Sequence, residues 1–146
     1  MSVPETHELT LAIPADSRFL APLRAVIDAA GEVAGLGPED RKAVALALSE
    51  AVSNVIEHCY CGSCGPISLR CLMSDGRLEI RIRDYGPKPD LTKMHGRDLS
   101  DVRPGGLGVH IIHETMDEVE YDLSPEAGTE LKLVKYAGGG GTAAPG

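Results

Sequence analysis

The sequence predicts an α+β two-layer sandwich: a mixed, mostly antiparallel sheet with helices on one face. Three observations predict it. Short segments of alternating apolar residues fall in neighbouring pairs, at 67–83 and 118–136, as hairpin strands do. Two segments with the apolar period of a helix stand between the first strand and the first of these pairs, and a third stands before the second pair. The order is therefore strand, helix, helix, strand, strand, long connection, helix, strand, strand, with no internal repeat. At 146 residues the chain is long enough for one domain with a sizeable core and short for two.

The elements follow in order. His7 to Ile13 alternates, with Leu9, Leu11 and Ile13 on one face, and Pro14 ends the strand. Asp16 or Ser17 can cap a helix whose core stripe is Phe19, Leu20, Leu23, Val26 and Ile27. Pro22 lies inside that pattern and places the start of the regular helix near itself, and the segment Gly31 to Gly37 closes it. From Asp40 to Tyr60 a second helix is expected, with Pro38 at its first turn. Its stripe is Val44, Leu48, Val52 and Val55, with Ala47 and Ala51 between. Beside the stripe run Glu50, Asn54 and His58, each four residues from the last and so on one face.

A loop, CGSCGP, leads to a strand over Ile67 to Met73. Asp75-Gly76 is a strong hairpin signal, and Leu78 to Arg83 returns with Leu78, Ile80 and Ile82 on one face. Tyr85 to Pro104 is polar and rich in Pro and Gly, and connections of that length are usually lids or binding loops. Gly108 to Met116 reads as a helix with Val109, Ile112 and Met116 inward. Glu118 to Leu123 and Thr129 to Tyr136 are the last strands, joined by a turn at 124–128. The tail AGGGGTAAPG is expected to be disordered.

Composition narrows the function classes. A net charge of −8 argues against nucleic-acid binding, which needs a basic patch to neutralise phosphates. It leaves room for a nucleotide held by backbone amides and a metal ion. No apolar run approaches a membrane span and the first residues carry no signal segment, so a cytoplasmic protein is expected. Its four cysteines should then be reduced. Cys61-x-x-Cys64 is half of a zinc pattern, but the second half is missing at the usual spacing, and ordinary thiols are the favoured reading.

The polar pieces supply the parts of a nucleoside triphosphate site. Asn54 offers a hard oxygen of the kind Mg²⁺ takes. Gly106 and Gly108 let the backbone approach phosphates at the start of a helix, whose free N–H groups attract anions. Asp84, at a strand end, is placed to accept from an exocyclic amine. Residues 85–104 can close over the site and exclude water.

Glu50-x-x-x-Asn54-x-x-x-His58, then Asp84-x-Gly86, then Gly106-x-Gly108 before a helix, then Gly128-Thr129 in a strand together resemble the GHKL ATPase superfamily. The segments ALSEAVSNVIEH, RPGGLGVHII and MDEVEY look like its branch of bacterial anti-sigma factor serine/threonine-protein kinases. The resemblance covers about Glu8 to Lys135, and rests on the order and spacing of the motifs together.

It implies a Bergerat-type, histidine-kinase-like ATPase fold and a single ATP-binding kinase-like domain over 7–136, with flexible termini at 1–6 and 137–146. It implies ATP and Mg²⁺ as cofactors. It also implies phosphorylation of a serine on an anti-anti-sigma (STAS-type) protein and binding of a sigma factor, in a partner-switching pathway that controls transcription, and a homodimer. Glu50 matches the general base and Asn54 the Mg²⁺ ligand. Asp84 matches the acceptor for the adenine amine, and Gly86 the glycine that backs the base. Gly105, Gly106, Leu107 and Gly108 match the phosphate loop, Arg103 a lid arginine that stabilises transferring charge, and Thr129 the threonine near the adenine-bound water. His58 has no catalytic role there; packing or capping near its helix end is expected. The sequence departs at Lys88, which stands where the wider superfamily has the second glycine of Asp-x-Gly-x-Gly; this branch often relaxes that position, with an acidic residue such as Asp90 following. Lys88 keeps one alternative open, a partner-binding module, with or without nucleotide, that lacks kinase activity; ATP hydrolysis without a protein acceptor is a third possibility.

Overall fold

The computed structural model describes residues 5–59, 65–86, 104–125 and 128–138. Five strands form one sheet: β1 (His7–Pro14), β2 (Pro66–Ser74), β3 (Arg77–Arg83), β4 (Glu118–Asp122) and β5 (Glu130–Tyr136), in the spatial order β1-β2-β3-β5-β4. All four pairings are antiparallel, which is the antiparallel side of the mixed sheet expected. Among the described residues three α-helices cover one face: α1 (Leu20–Val33), α2 (Pro38–Asn54) and α3 (Pro104–Thr115).

Alternation along each strand builds the core. One row crosses the sheet from Leu9 through Cys71, Ile80 and Leu133 to Val119. Its three central members have no exposed surface, and burial pushes the Cys71 thiol up to about 11. A slip of one residue in any pairing would turn that row to the other face. There the strands carry ion pairs instead, with Arg70 on Glu8, Arg77 and Arg81 on Glu79, and Lys132 on Glu120. This contrast is why the helices settle on one face only. Val44, Ala47, Leu48, Ala51, Val52 and Val55 are all buried, as the period of α2 requires.

Helix boundaries refine the sequence expectation at both ends of α1 and depart from it at the end of α2. The carboxylate of Asp16 accepts from the Arg18 N–H, so the chain enters a 3₁₀ turn at Ser17–Phe19 and α1 begins at Leu20. Pro22 then falls in the first turn, where its missing N–H costs no bond. Helix α1 ends at Val33, inside the segment Gly31 to Gly37 expected to close it, but not at Gly31 itself. Gly31 lies within the helix, where an added Cβ would stand 3.0 Å from Cγ of Arg41, so it is a contact point with α2. Arg41 fastens the two helices by donating to Asp28 at 3.1 Å and to the Leu36 carbonyl at 2.9 Å. Finally, α2 stops at Asn54 and a π-helical turn follows over Val55–Cys59. Its wider i→i+5 pattern breaks the four-residue register that the sequence continued to His58.

Candidate functional site

Strand β3 ends at Arg83, and Asp84 continues on the helix side with Ile80 and Ile82. Its side chain is 2% exposed. A carboxylate buried that deeply needs donors. Oδ1 accepts from the Gly86 N–H at 3.1 Å, and Oδ2 accepts from the Thr129 hydroxyl at 2.8 Å. The Asp84 N–H donates to the Thr129 carbonyl at 3.0 Å. Thr129 is itself buried, at the entry to β5. A carboxylate has about four lone-pair positions, so two remain to take an exocyclic amine.

Gly128 makes the juxtaposition possible. Its φ is +75°, and an added Cβ would lie 1.9 Å from the carbonyl oxygen of Asp84. Only glycine combines that backbone shape with that approach. The sequence marks Gly128-Thr129 as a strand opening, but nothing in it reveals that Gly128 presses on Asp84. Arg83 and Tyr85 also escape sequence reading. The Arg83 guanidinium donates to the Asp84 carbonyl oxygen and lies 4.4 Å from the centre of the Tyr85 ring.

The other half of the site sits on α2 and α3. Arg41 and Ser49 face α1, as their bonds to Asp28 and Arg24 show. At 3.6 residues per turn, Glu50 and Asn54 point to the opposite flank of α2. The other helix packed on α2 is α3. Both side chains are half-buried. Helix α3 begins at Pro104, four residues before the expected start at Gly108, so Gly105, Gly106, Leu107 and Gly108 belong to its first two turns. The first N–H groups of a helix have no partner within it, and Pro104 has none to give. Gly105 and Gly106 therefore present free backbone donors at a helix N-terminus, where anions are favoured, whereas Gly108 lies a full turn inside, where the helical acceptor of its N–H is the Pro104 carbonyl.

The structure thus brings Asp84, Gly86 and Thr129 into direct contact, and places Glu50 and Asn54 on the flank of α2 turned from α1. Arg103 lies outside the described residues, as do Lys88, most of the expected lid, Cys61, Cys64 and the side chain of His58. Among the described residues no group of His, Cys, Asp and Glu is placed to hold a metal, and no helix is long and apolar enough to cross a membrane. The donor set fits a magnesium nucleotide: an amide oxygen on α2, N–H groups at the start of α3, and a buried carboxylate for the base.

The family profile of the histidine kinase-like ATPase domain matches residues 13–135, from the end of β1 to the last core positions of β5. The chain belongs to that family. It resembles serine-protein kinase RsbW of Staphylococcus epidermidis, with 30% identity over 88% of this chain and 86% of the relative. It also resembles the RsbW of Halalkalibacterium halodurans, with 28% identity over 91% and 84% of the two chains. Among solved structures, the RsbU and RsbW domains of Rv1364c from Mycobacterium tuberculosis share the fold, with a TM-score of 0.60 and 18% identity. The match covers 90% of this chain and 33% of that one. The histidine kinase domain of a blue-light-activated kinase from Erythrobacter litoralis also shares it, with a TM-score of 0.53 over 85% of this chain and 61% of that one. The ATPase-domain family and the fold are therefore those the motifs suggested.

Proposed function

We propose that this protein is an ATP-dependent serine kinase that phosphorylates an anti-anti-sigma protein and binds a sigma factor, in the cytoplasm. The observation that carries the reading is the buried Asp84 carboxylate, held by Thr129 and Gly86 in a chain that belongs to an ATPase-domain family. The RsbW relatives, named as serine-protein kinases, support the acceptor class.

In this reading Asp84 accepts from the adenine amine, Gly86 leaves room behind the base, and Thr129 holds the carboxylate. The free N–H groups of Gly105 and Gly106 take the phosphates at the start of α3, and Leu107 and Gly108 follow in the same first turns. The amide oxygen of Asn54 holds Mg²⁺, which screens phosphate charge when bound. A carboxylate oxygen of Glu50 takes the proton from the serine hydroxyl as the serine oxygen attacks the γ-phosphorus of ATP, the bond from that phosphorus to the β,γ-bridging oxygen breaks, ADP leaves with that oxygen, and Arg103 stabilises the charge that develops.

The test is a titration with ATP and Mg²⁺, followed by phosphate transfer to a purified anti-anti-sigma protein. The wild type should bind and transfer, and Asn54→Ala should bind more weakly. No binding at millimolar ATP in either protein would overturn the kinase reading. It would favour the partner-binding module that Lys88 suggests.

The proposed homodimer is supported at the open edge of the sheet. Beside β1, a largely apolar groove of about 390 Å³ is lined by Leu9, Val26, Ala29, Ala30, Val33 and Met73, together with Glu8. Val33 is 69% exposed and Leu9 40%. A second copy pairing along β1 would cover both. Val33→Asp should shift the protein from dimer to monomer in sedimentation equilibrium; a monomeric wild type would remove the proposal.

A further inference from the structure

The geometry points to Arg83 and Tyr85 as a positioning pair that holds the Asp84 turn in the shape that reads a purine's exocyclic amine. This rests on the nucleotide reading above and adds two residues that its motifs do not contain. Residues 83 and 85 alternate with 84 and 86, so they stand on the sheet face away from the helices. There the guanidinium of Arg83 meets the face of the Tyr85 ring at 4.4 Å, an attractive arrangement between a cation and an aromatic quadrupole. The same guanidinium donates through Nη1 to the carbonyl oxygen of Asp84. It therefore ties residue 85 to the peptide of residue 84 from outside.

The inside of the turn is fixed separately. Thr129 and the Gly86 N–H take the two carboxylate oxygens, and Gly128 packs on the same Asp84 carbonyl. That carbonyl is the point where both restraints meet. Rotation of the 84–85 peptide would move it off Arg83, swing Tyr85 from the guanidinium and carry the Gly86 N–H away from Oδ1. An outer clamp that stops this rotation holds the carboxylate where its remaining lone pairs face an incoming amine. A carboxylate free to turn would bind nucleotide less well and, above all, tell amine from carbonyl less well. Tyr85 is 46% exposed, so it fills no core position that would by itself explain an aromatic there.

The test compares ATP with ITP, which carries a carbonyl where ATP carries the amine, by calorimetric titration with Mg²⁺. The proteins are the wild type, Arg83→Ala, Tyr85→Ala and Tyr85→Phe. The wild type should prefer ATP. Arg83→Ala and Tyr85→Ala should lose about three- to tenfold in ATP affinity, the scale of one cation–aromatic contact and one hydrogen bond. Their ITP affinity should stay within about twofold, so the preference collapses. Tyr85→Phe keeps the ring and should behave as wild type. A second readout needs no nucleotide: exchange of the Gly86 amide with solvent should be faster in Tyr85→Ala than in Tyr85→Phe. Equal weakening of ATP and ITP would mean general support of the fold and would overturn the inference, as would an unchanged preference or unchanged Gly86 exchange. If the wild type binds neither nucleotide while Gly86 exchange responds as described, the clamp stands and the nucleotide reading fails.

Discussion

The proposed base end of the site and its proposed phosphate end share one frame but are held in place by different means. At the proposed base end, two segments of the chain are locked together: the Asp84 carboxylate accepts from Thr129, 45 residues on, and Gly128 presses against the Asp84 backbone, while the Gly86 N–H holds the other carboxylate oxygen. At the phosphate end, local structure does the work. Glu50 and Asn54 are one turn apart on α2, and the glycines occupy the first turns of α3. The base end is thus preformed by tertiary contacts, so damage there should cost stability and affinity together. The proposed phosphate end depends on the Glu50 and Asn54 side chains, which can be removed without disturbing their helix, so damage there should cost transfer (Glu50) or binding of the magnesium nucleotide (Asn54) without costing stability.

The sharpest way to break this contrast is Gly128→Ala. The new Cβ cannot occupy the space of the Asp84 carbonyl, and the left-handed backbone adds strain of its own. A loss of about 3 kcal/mol or more is expected in urea unfolding, with ATP affinity lost in the same variant. A stable variant that binds ATP normally would show that β3 and β5 need not meet this closely. Next in size is Glu50→Ala, which should lower phosphate transfer about a hundredfold or more. Its stability should stay within about 0.5 kcal/mol of wild type and its ATP affinity within about twofold. A matching loss of affinity would mean that the two ends are not separable.

The same difference decides what was legible in the sequence. Period-two and period-3.6 patterns set the order of elements, and the buried set on α2 is the one its stripe foretold, because burial follows periodicity. The phosphate-end motifs were readable because they are local: Glu50 and Asn54 four apart, glycines beside a helix. Even there, the backbone overrode the spacing twice. The π-helical turn after Asn54 ends the register with His58, and Pro104 starts α3 before the glycines rather than after them. At the base end, the sequence marked Asp84 and Thr129 only through resemblance. Their hydrogen bond depends on the pairing of β3 with β5 across intervening chain, and neither the φ of Gly128 nor the reach of Arg83 has a local signature.

Thr129→Val isolates one base-end bond. The shape is kept, the hydroxyl is lost, and Oδ2 of Asp84 remains buried without that donor. Leaving such an acceptor unmet costs about 1–3 kcal/mol, and unfolding should show a loss in that range. ATP affinity should fall about tenfold while phosphate transfer at saturating ATP changes little. A fall in transfer with unchanged affinity would place Thr129 with the phosphate end instead.

The smallest expected effect supplies the control, on the outer face of the same strand. Burial by itself would push the Glu79 carboxyl up, but the guanidiniums of Arg81 and Arg77 outweigh it and hold the group below its ordinary 4.5. A carboxyl depressed in the folded state stabilises the fold above its unfolded value, and that contribution is lost as pH falls through the folded value. Glu79→Gln should therefore cost at most about 1 kcal/mol at pH 7, and the wild-type and variant stabilities should converge as the pH drops below 4.5. ATP affinity at pH 7 should not move, because Glu79 lies on β3 but on the face away from the helices and from Asp84. Should Glu79→Gln weaken ATP binding as much as Thr129→Val, then any disturbance of β3 would reach the site. The selective locking of Asp84 by β5 would lose its basis.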